Sequence, residues 1–229
     1  MDPYSKIPPG YYLKVITEGW RVQKFWHIHK FSQISAKIPD NPHITVLDVG
    51  CGPGSFFYQH KKKGKKIGID FAKSQINYAR KAMPDVRWIC ANVESASLPK
   101  ADYVVFSEVL EHLPPNTKIL GKINRVMKKG GKLILTTPNY SSFWPIIEKL
   151  WDLASPVKYE EQHINPQTPS TLKKLVESSG FKLIDLKTIF LFTPFVAFIS
   201  DKMALKLTNL EQKIIGRMGY VMVAVCEKK

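Results

Sequence analysis

The sequence predicts an α/β protein built on a doubly wound, mostly parallel sheet. Three observations carry that prediction. Short apolar runs of strand character alternate with helical segments from residue 45 to residue 137. A glycine-rich turn, Gly50-Cys51-Gly52-Pro53-Gly54, follows the first of those runs and opens a helix. The 229 residues are 44% hydrophobic and 23% charged, enough for one core of open-sheet size and too apolar for wholesale disorder.

Taken in order, residues 1–10 hold Pro3, Pro8 and Pro9 and read as an arm. Residues 11–37 place Leu13, Ile16 and Trp20, then Val22, Phe25 and Trp26, then Ile28, Phe31 and Ile34 at spacings of three and four, which predicts amphipathic helix. Strands are expected at Thr45–Val49, Lys66–Asp70, Val86–Ala91, Tyr103–Ser107 and Lys132–Thr137. Helices are expected from the glycine turn to about Lys62, over Ser74–Ala82 ahead of Pro84, and over Thr117–Met127, stopped by Gly130-Gly131. After Pro138 the rhythm breaks. Residues 139–168 carry Tyr140, Phe143, Trp144, Trp151, Tyr159 and His163 among prolines, an insertion beyond the carboxyl end of the fifth strand. Ser170 reads as the N-cap of a helix to Ser179 that Gly180 ends. Phe181–Phe190 and Tyr220–Glu227 complete seven strands, with helical segments between them. One domain is expected: arm and lid helix over 1–40, cofactor core over 41–138, substrate-side insertion over 139–168, and the rest of the core over 169–229.

Composition excludes several classes. Cys51, Cys90 and Cys226 form no C-x-x-C pair, which argues against a disulfide framework and a cysteine-only zinc site. No apolar run approaches the ~18 residues of a membrane span. MDPYSKIPPG is too polar for a secretory signal, so a cytoplasmic protein is expected, with peripheral membrane contact left open. Thirty-four Lys+Arg against nineteen Asp+Glu leave a net charge of +15. That excess suits nucleic acid, anionic lipid or an acidic substrate, and equally a merely soluble surface. Its densest cluster, Lys61, Lys62, Lys63, Lys65 and Lys66, falls between a helix and a strand, where solvated lysines are ordinary.

The glycine turn sits at the switch point where open sheets bind cofactors. Asp70 lies twenty residues after Gly50 at the end of the next strand, placed for a ribose diol. The spacing is G-x-G-x-G, with Ser55 where a dinucleotide fingerprint has its third glycine. Asp48 beside the turn repels a pyrophosphate but suits a ligand carrying an ammonium group. An adenosyl cofactor with an amino-acid tail fits better than NAD.

From Val46 to Asn139 the chain resembles the class I S-adenosylmethionine-dependent methyltransferases, most of all the group with quinone-biosynthesis O-methyltransferases. VLDVGCGPG, GIDFAKSQINYARKA, ANVESASLP, FSEVLEHLPP and KKGGKLILTTPN match the family's successive segments, and HINPQTPSTLKKLVESSGF the helix before strand six. The resemblance implies a Rossmann-like sheet in the order 3-2-1-4-5-7-6 with strand seven antiparallel, and S-adenosylmethionine as cofactor. It implies that Gly50, Cys51, Gly52 and Gly54 border the methionine part, with Asp48 supporting its ammonium. Asp70 takes the ribose hydroxyls and Phe71 packs on adenine. Asn92 stands where many relatives have an aspartate for the adenine amino group, Val93 offers its N–H to the ring, and Ser107 lies near the sulfonium.

Methyl transfer requires alignment and a deprotonated nucleophile. If the turn after the fourth strand runs straight into a helix, Glu108, Glu111 and His112 share one face. They then hold a divalent cation, or only buttress the cofactor loop; the second is favoured. His112 and His163 are the candidate bases, with Tyr140 and Trp144 as pocket wall. Trp20, Phe25 and Trp26 belong to a lid over the cleft or to packing on the sheet edge. Ile189–Ile199, the most apolar stretch, is core, a greasy substrate entrance, or an interfacial membrane patch, the first favoured. The expected activity is methyl transfer to a small or lipid-like acceptor at oxygen. RNA methylation on the basic surface and a non-catalytic cofactor-binding subunit are the alternatives. Against RNA, the position where amine-methylating enzymes often carry N/D-P-P-Y/F reads Ser107-Glu108-Val109-Leu110.

Overall fold

The computed structural model describes residues 7–154, 162–214 and 216–229; Pro3 and Tyr159, singled out from the sequence, lie outside them. Seven strands form one sheet: β1 (Thr45–Val49), β2 (Lys65–Asp70), β3 (Arg87–Cys90), β4 (Ala101–Ser107), β5 (Met127–Pro138), β6 (Phe181–Ile189) and β7 (Val221–Lys228). Their order is β3-β2-β1-β4-β5-β7-β6, as the family resemblance implies. The first five pair in parallel, and β7 runs antiparallel to both β5 and β6.

Side chains alternate across this sheet, and both faces are covered. Val46, Val105, Ile134 and Val223 enter one core layer. Leu47, Val104, Leu133 and Ala224 enter the other. Central strands buried on both sides read as continuous apolar runs, which is why their short Val/Ile/Leu segments are visible in the sequence.

The helices are α1 (Tyr11–Glu18), α2 (Arg21–Ala36), α3 (Ser55–Gln59), α4 (Lys73–Ala82), α5 (Ile119–Val126), α6 (Trp144–Ala154), α7 (Pro169–Ser178), α8 (Thr193–Ile199) and α9 (Asp201–Ile214). Four expectations are corrected. The first helix is two, because the Gly19 N–H closes on the carbonyls of Lys14 and Val15 and Trp20 is extended. Helix α3 stops at Gln59 rather than near Lys62. Beyond it Lys62 turns back to donate to the carbonyls of Ser35 and Ile38, and Lys66 donates to that of His60. Part of the lysine cluster is therefore structural rather than solvated. β5 begins at Met127 and runs through the glycine pair expected to precede it. Finally, the N-cap of α7 is Thr168, not Ser170: its hydroxyl accepts the Thr171 N–H, Thr171 reciprocates to the Thr168 N–H, and Pro169 takes the first helical position.

The two ends of the insertion meet. Asn139 bridges to Gln167, and its buried amide donates to the carbonyls of Arg217 and Gly219, so α6 leaves and returns beside the end of β5. The amino-terminal arm is held at α4, where Gln75 accepts the Gly10 N–H. Among the described residues no helix is long and apolar enough to cross a membrane.

Candidate functional site

The carboxyl ends of β1, β2 and β4 and the loop after β3 converge on one edge of the sheet, as a parallel sheet requires. At β1 the chain turns through Gly50 (φ 76°) and Gly52 (φ 51°). A Cβ on Gly50 would stand 2.4 Å from Val109, so only glycine fits beneath the segment that follows β4. A Cβ on Gly52 would meet nothing within 4 Å, leaving an open cradle for a close-approaching ligand. Gly54 caps α3, whose first residue, Ser55, has a buried hydroxyl without a protein partner.

Asp70 organises this turn. Its Oδ2 accepts the Gly52 N–H at 2.8 Å and its Oδ1 accepts the Ala72 N–H at 2.8 Å, tying the ends of β1 and β2 together. Phe71 beside it is 44% exposed. Asn92 is exposed, with its Oδ1 accepting the Glu94 N–H, and Val93 is buried, its carbonyl held by Lys122. The Ser107 hydroxyl bonds Thr136 at 2.8 Å. Burial pushes the Cys51 thiol well up, which keeps it protonated and non-nucleophilic.

Asp48 is buried, and desolvation together with the neighbouring Asp70 charge pushes its carboxyl up to about 8. A carboxyl raised on folding binds its proton more tightly in the native state than in the unfolded chain. Its contribution therefore destabilises the ligand-free protein progressively as pH rises between about 4 and about 8. An ammonium group placed against it favours the charged form and reverses that cost. Asp48→Asn should flatten the fall of melting temperature with pH in the ligand-free protein and weaken cofactor binding. Parallel melting curves against pH would show that Asp48 is already ionised there.

After β4 the chain does not run straight into an α-helix, the condition for Glu108, Glu111 and His112 to share a face. Glu108 takes φ 55°, rare for a residue with a side chain, and a single 3-10 turn, Leu110–His112, follows. The Glu108 carboxylate is held by the Thr136 hydroxyl at 2.8 Å and by Lys30 of α2 at 3.6 Å. It thereby leaves the set of Glu108, Glu111 and His112 that the less favoured metal reading required. The structure instead groups Glu111, His112 and His163, whose ligand atoms lie within 4.8 Å of one another. His163 comes from the insertion, fifty-one positions further along the chain, so no local spacing announces the cluster.

Two polar partners fix this group. His112 Nδ1 donates to the Gln162 carbonyl at 3.2 Å, which leaves its lone pair on Nε2. Burial and the neighbouring His163 lower its pKa to about 4, so the ring is neutral at physiological pH. His163 Nδ1 donates to the Glu148 carboxylate, and the Tyr140 hydroxyl donates to the same carboxylate at 2.9 Å. Glu148 also accepts the Trp144 indole N–H at 3.2 Å. Glu111 is 1% exposed and accepts the Thr137 hydroxyl. Burial and Glu108 push its carboxyl well above the ordinary range, towards the neutral acid.

Sequence inspection named His112 and His163 as separate candidate bases and Tyr140 as pocket wall, without grouping them, and missed Glu148, Lys30, Thr136 and Thr137. Glu148 had a signal: with Trp144 and Asp152 it recurs at every fourth position of an apolar helix, where a polar side chain is turned inward. Trp20 is 81% exposed. Phe25 and Trp26 pack inward on Phe190, with Trp26 stacked at 4.2 Å. His29 stacks on Phe25, and its burial lowers its pKa.

Residues 22–186 match the methyltransferase domain family. The chain belongs to that family. It carries a methyltransferase domain of the class I fold whose cofactor is S-adenosylmethionine, and the residues at the switch point fit it: an open glycine cradle, an acceptor carboxylate at the end of β2 and an exposed ring beside it. Among curated relatives, the chain is 28% identical over 134 residues to trans-aconitate 2-methyltransferase of Azoarcus sp. (strain BH72), covering 56% of this chain and 50% of that one. It is 28% identical over 156 residues to ubiquinone biosynthesis O-methyltransferase of Coxiella burnetii, covering 63% and 66%. The chain thus spans half to about two-thirds of the length of these relatives. Among solved structures, it aligns with a possible histamine N-methyltransferase of Thermotoga maritima at TM-score 0.68 and 17% identity, covering 95% of this chain and 94% of that one. Magnesium protoporphyrin IX methyltransferase of Synechocystis PCC 6803, solved with S-adenosylhomocysteine, aligns at TM-score 0.64 and 14% identity, covering 91% and 86%. At these identities the structural likenesses speak for the fold.

Proposed function

We propose that the methyltransferase methylates an oxygen of a small, lipid-like acceptor, with His163 as general base. The observation that carries this reading is the Glu148–His163 pair, held by Tyr140 and set beside His112 and Glu111 on the insertion at the carboxyl edge of the sheet. S-adenosylmethionine, when bound, supplies an electrophilic methyl group on a sulfonium. Asp48, the glycine turn, Asp70 and Phe71 are the residues that hold it. With Nδ1 bound to Glu148, His163 carries its lone pair on Nε2 and accepts the acceptor hydroxyl's proton there. The Glu148 carboxylate steadies the imidazolium so formed, and Tyr140 keeps that carboxylate in place. His112 is neutral, and burial beside Glu108 disfavours negative charge on Glu111 next to the developing oxyanion. Trp26, Trp144 and Phe190 supply the apolar, water-poor wall that an acceptor of low polarity requires.

Glu111, His112 and His163 also have the donor types of a divalent-cation site, which favours a second reading in which a cation lowers the acceptor's pKa. One assay addresses both. Protein, methyl-labelled S-adenosylmethionine and a cell extract are incubated, and label is partitioned among organic-solvent, small aqueous, nucleic-acid and protein fractions. Label is expected in the organic phase and should persist after dialysis against chelator. Loss on dialysis with recovery on adding Mg²⁺ transfers the role of base activation to the cation. Nuclease-sensitive label would reject the small-acceptor reading and make the basic surface an RNA footprint.

A further inference from the structure

The hairpin of α8 and α9 is built inside out. Its one buried carboxylate, Glu211, accepts the N–H groups of Leu191, Phe192 and Thr193 and the Thr193 hydroxyl, clamping the start of α8 to α9. Ala204, Thr208 and Glu211 are the residues α9 turns inward. Its large apolar side chains are instead displayed: Met203, Leu207, Leu210 and Ile214 are 54%, 37%, 53% and 70% exposed. Spacings of four, three and four place them on one stripe of the helix. Helix α8 adds Phe195, Phe198 and Ile199 at 58–73% exposure, while Pro194 and Ala197 face the core. The apolar stretch at 189–199, expected mainly as core, is therefore divided: Ile189, Phe190 and Leu191 are buried and the outer face of α8 is not. Trp20 stands at the same end, because Arg21 next to it donates to the Ile199 carbonyl at 2.8 Å.

The charges around this surface select its occupant. Lys202, Lys206 and Lys213 each precede one of the stripe residues, Met203, Leu207 and Ile214, and so form a parallel cationic row about 100° round the helix. Exposed Arg21 and Arg217 add further positive charge, and the sole other acidic residue of α9 is Asp201 at its first position. A second copy would set one cationic row against another on a chain already at +15. A leaflet of anionic phospholipid offers both hydrocarbon for the stripe and negative head groups for the lysines.

We propose that the α8–α9 hairpin is a membrane-docking surface that seats the protein on anionic bilayers. The hairpin lies between β6 and β7 and packs on α2, whose Trp26 stacks on Phe190 and meets Trp144 of the insertion. Docking there sets this run of packed rings between the leaflet and the insertion, an arrangement whose use rests on the lipid-like acceptor reading; the docking does not.

Flotation of the purified protein with phosphatidylcholine vesicles, with and without phosphatidylglycerol, tests this without any turnover. Binding is expected to the anionic vesicles, weaker with rising salt, and slight to phosphatidylcholine alone. Replacing Lys202, Lys206 and Lys213 together by glutamine should lower partitioning about 150-fold, a little over fivefold per lysine. Leu210→Ser with Ile214→Ser should abolish it while leaving the melting temperature and S-adenosylmethionine affinity unchanged, since both side chains face solvent. Failure of the wild type to float, or equal flotation of these variants, would overturn the proposal. So would sedimentation of the wild type as a dimer that the serine variant dissociates. Each of those results leaves the methyl-transfer reading standing.

Discussion

Asp70→Ala should weaken S-adenosylmethionine binding by at least a hundredfold in calorimetry. The Asp70 carboxylate fastens the Gly52 and Ala72 N–H groups at 2.8 Å each, and it is the acceptor expected to meet the ribose diol. Truncation strands two backbone donors and removes the ligand contact together. Each lost charge-assisted bond costs about 1.5–3 kcal/mol, and about 2.8 kcal/mol already corresponds to a hundredfold in Kd. Asp70→Asn separates the two effects: an amide accepts one of the two N–H groups but turns its NH₂ towards the other, so affinity should fall less than in the alanine variant. Affinity unchanged in Asp70→Ala would remove the cofactor placement at the ends of β1 and β2.

The second large effect is expected at His163. His163→Ala should lower kcat by about 10²–10⁴, the usual contribution of a positioned general base, while cofactor affinity stays within about twofold. Glu148→Gln should cost less, because the amide preserves shape and a hydrogen bond to Nδ1 but no longer stabilises the imidazolium. A structural role for Glu148 alone would instead lower the melting temperature of both variants and leave kcat of the folded fraction intact. Tyr140→Phe serves as the mild member of the series, since it removes one donor to Glu148 and a hydroxyl 3.0 Å from His163 Nδ1 but leaves the Glu148–His163 pair in place. Normal kcat in His163→Ala would eliminate it as base and leave the acceptor to ionise by another route.

The glycine turn and the Asp70 contact that joins the ends of β1 and β2 were largely legible in the chain. Gly50, Gly52, Asp48 and Asp70 lie within about twenty residues of one another, and a parallel βαβ unit brings successive strand ends together by topology alone. No long-range information is required to read them. The strand positions were legible for a related reason, since strands buried on both faces announce themselves as bare apolar runs between glycine and lysine turns. Boundaries failed where a side chain reached across the fold. α3 ends early while Lys62 and Lys66 serve carbonyls elsewhere, and α7 starts at Thr168 because Thr171 answers it.

The acceptor half was legible as a list of residue types and not as a constellation. Glu108, Glu111 and His112 share a helix face only if residue 108 is helical. A left-handed Glu108, held by Thr136 of β5 and Lys30 of α2, sends its carboxylate away and leaves the other two to His163. Likewise, apolar content at 189–199 and in α9 looks the same in sequence whether it faces core or solvent. What separates the two is Glu211, whose burial turns α9 so that its leucines point outward. The chain by itself determined the sheet, its switch point and the cofactor it holds, because those depend on short-range spacing and strand order. Which carboxylate meets which imidazole, and which apolar face meets water, was decided by tertiary structure, because each depends on partners contributed from distant segments.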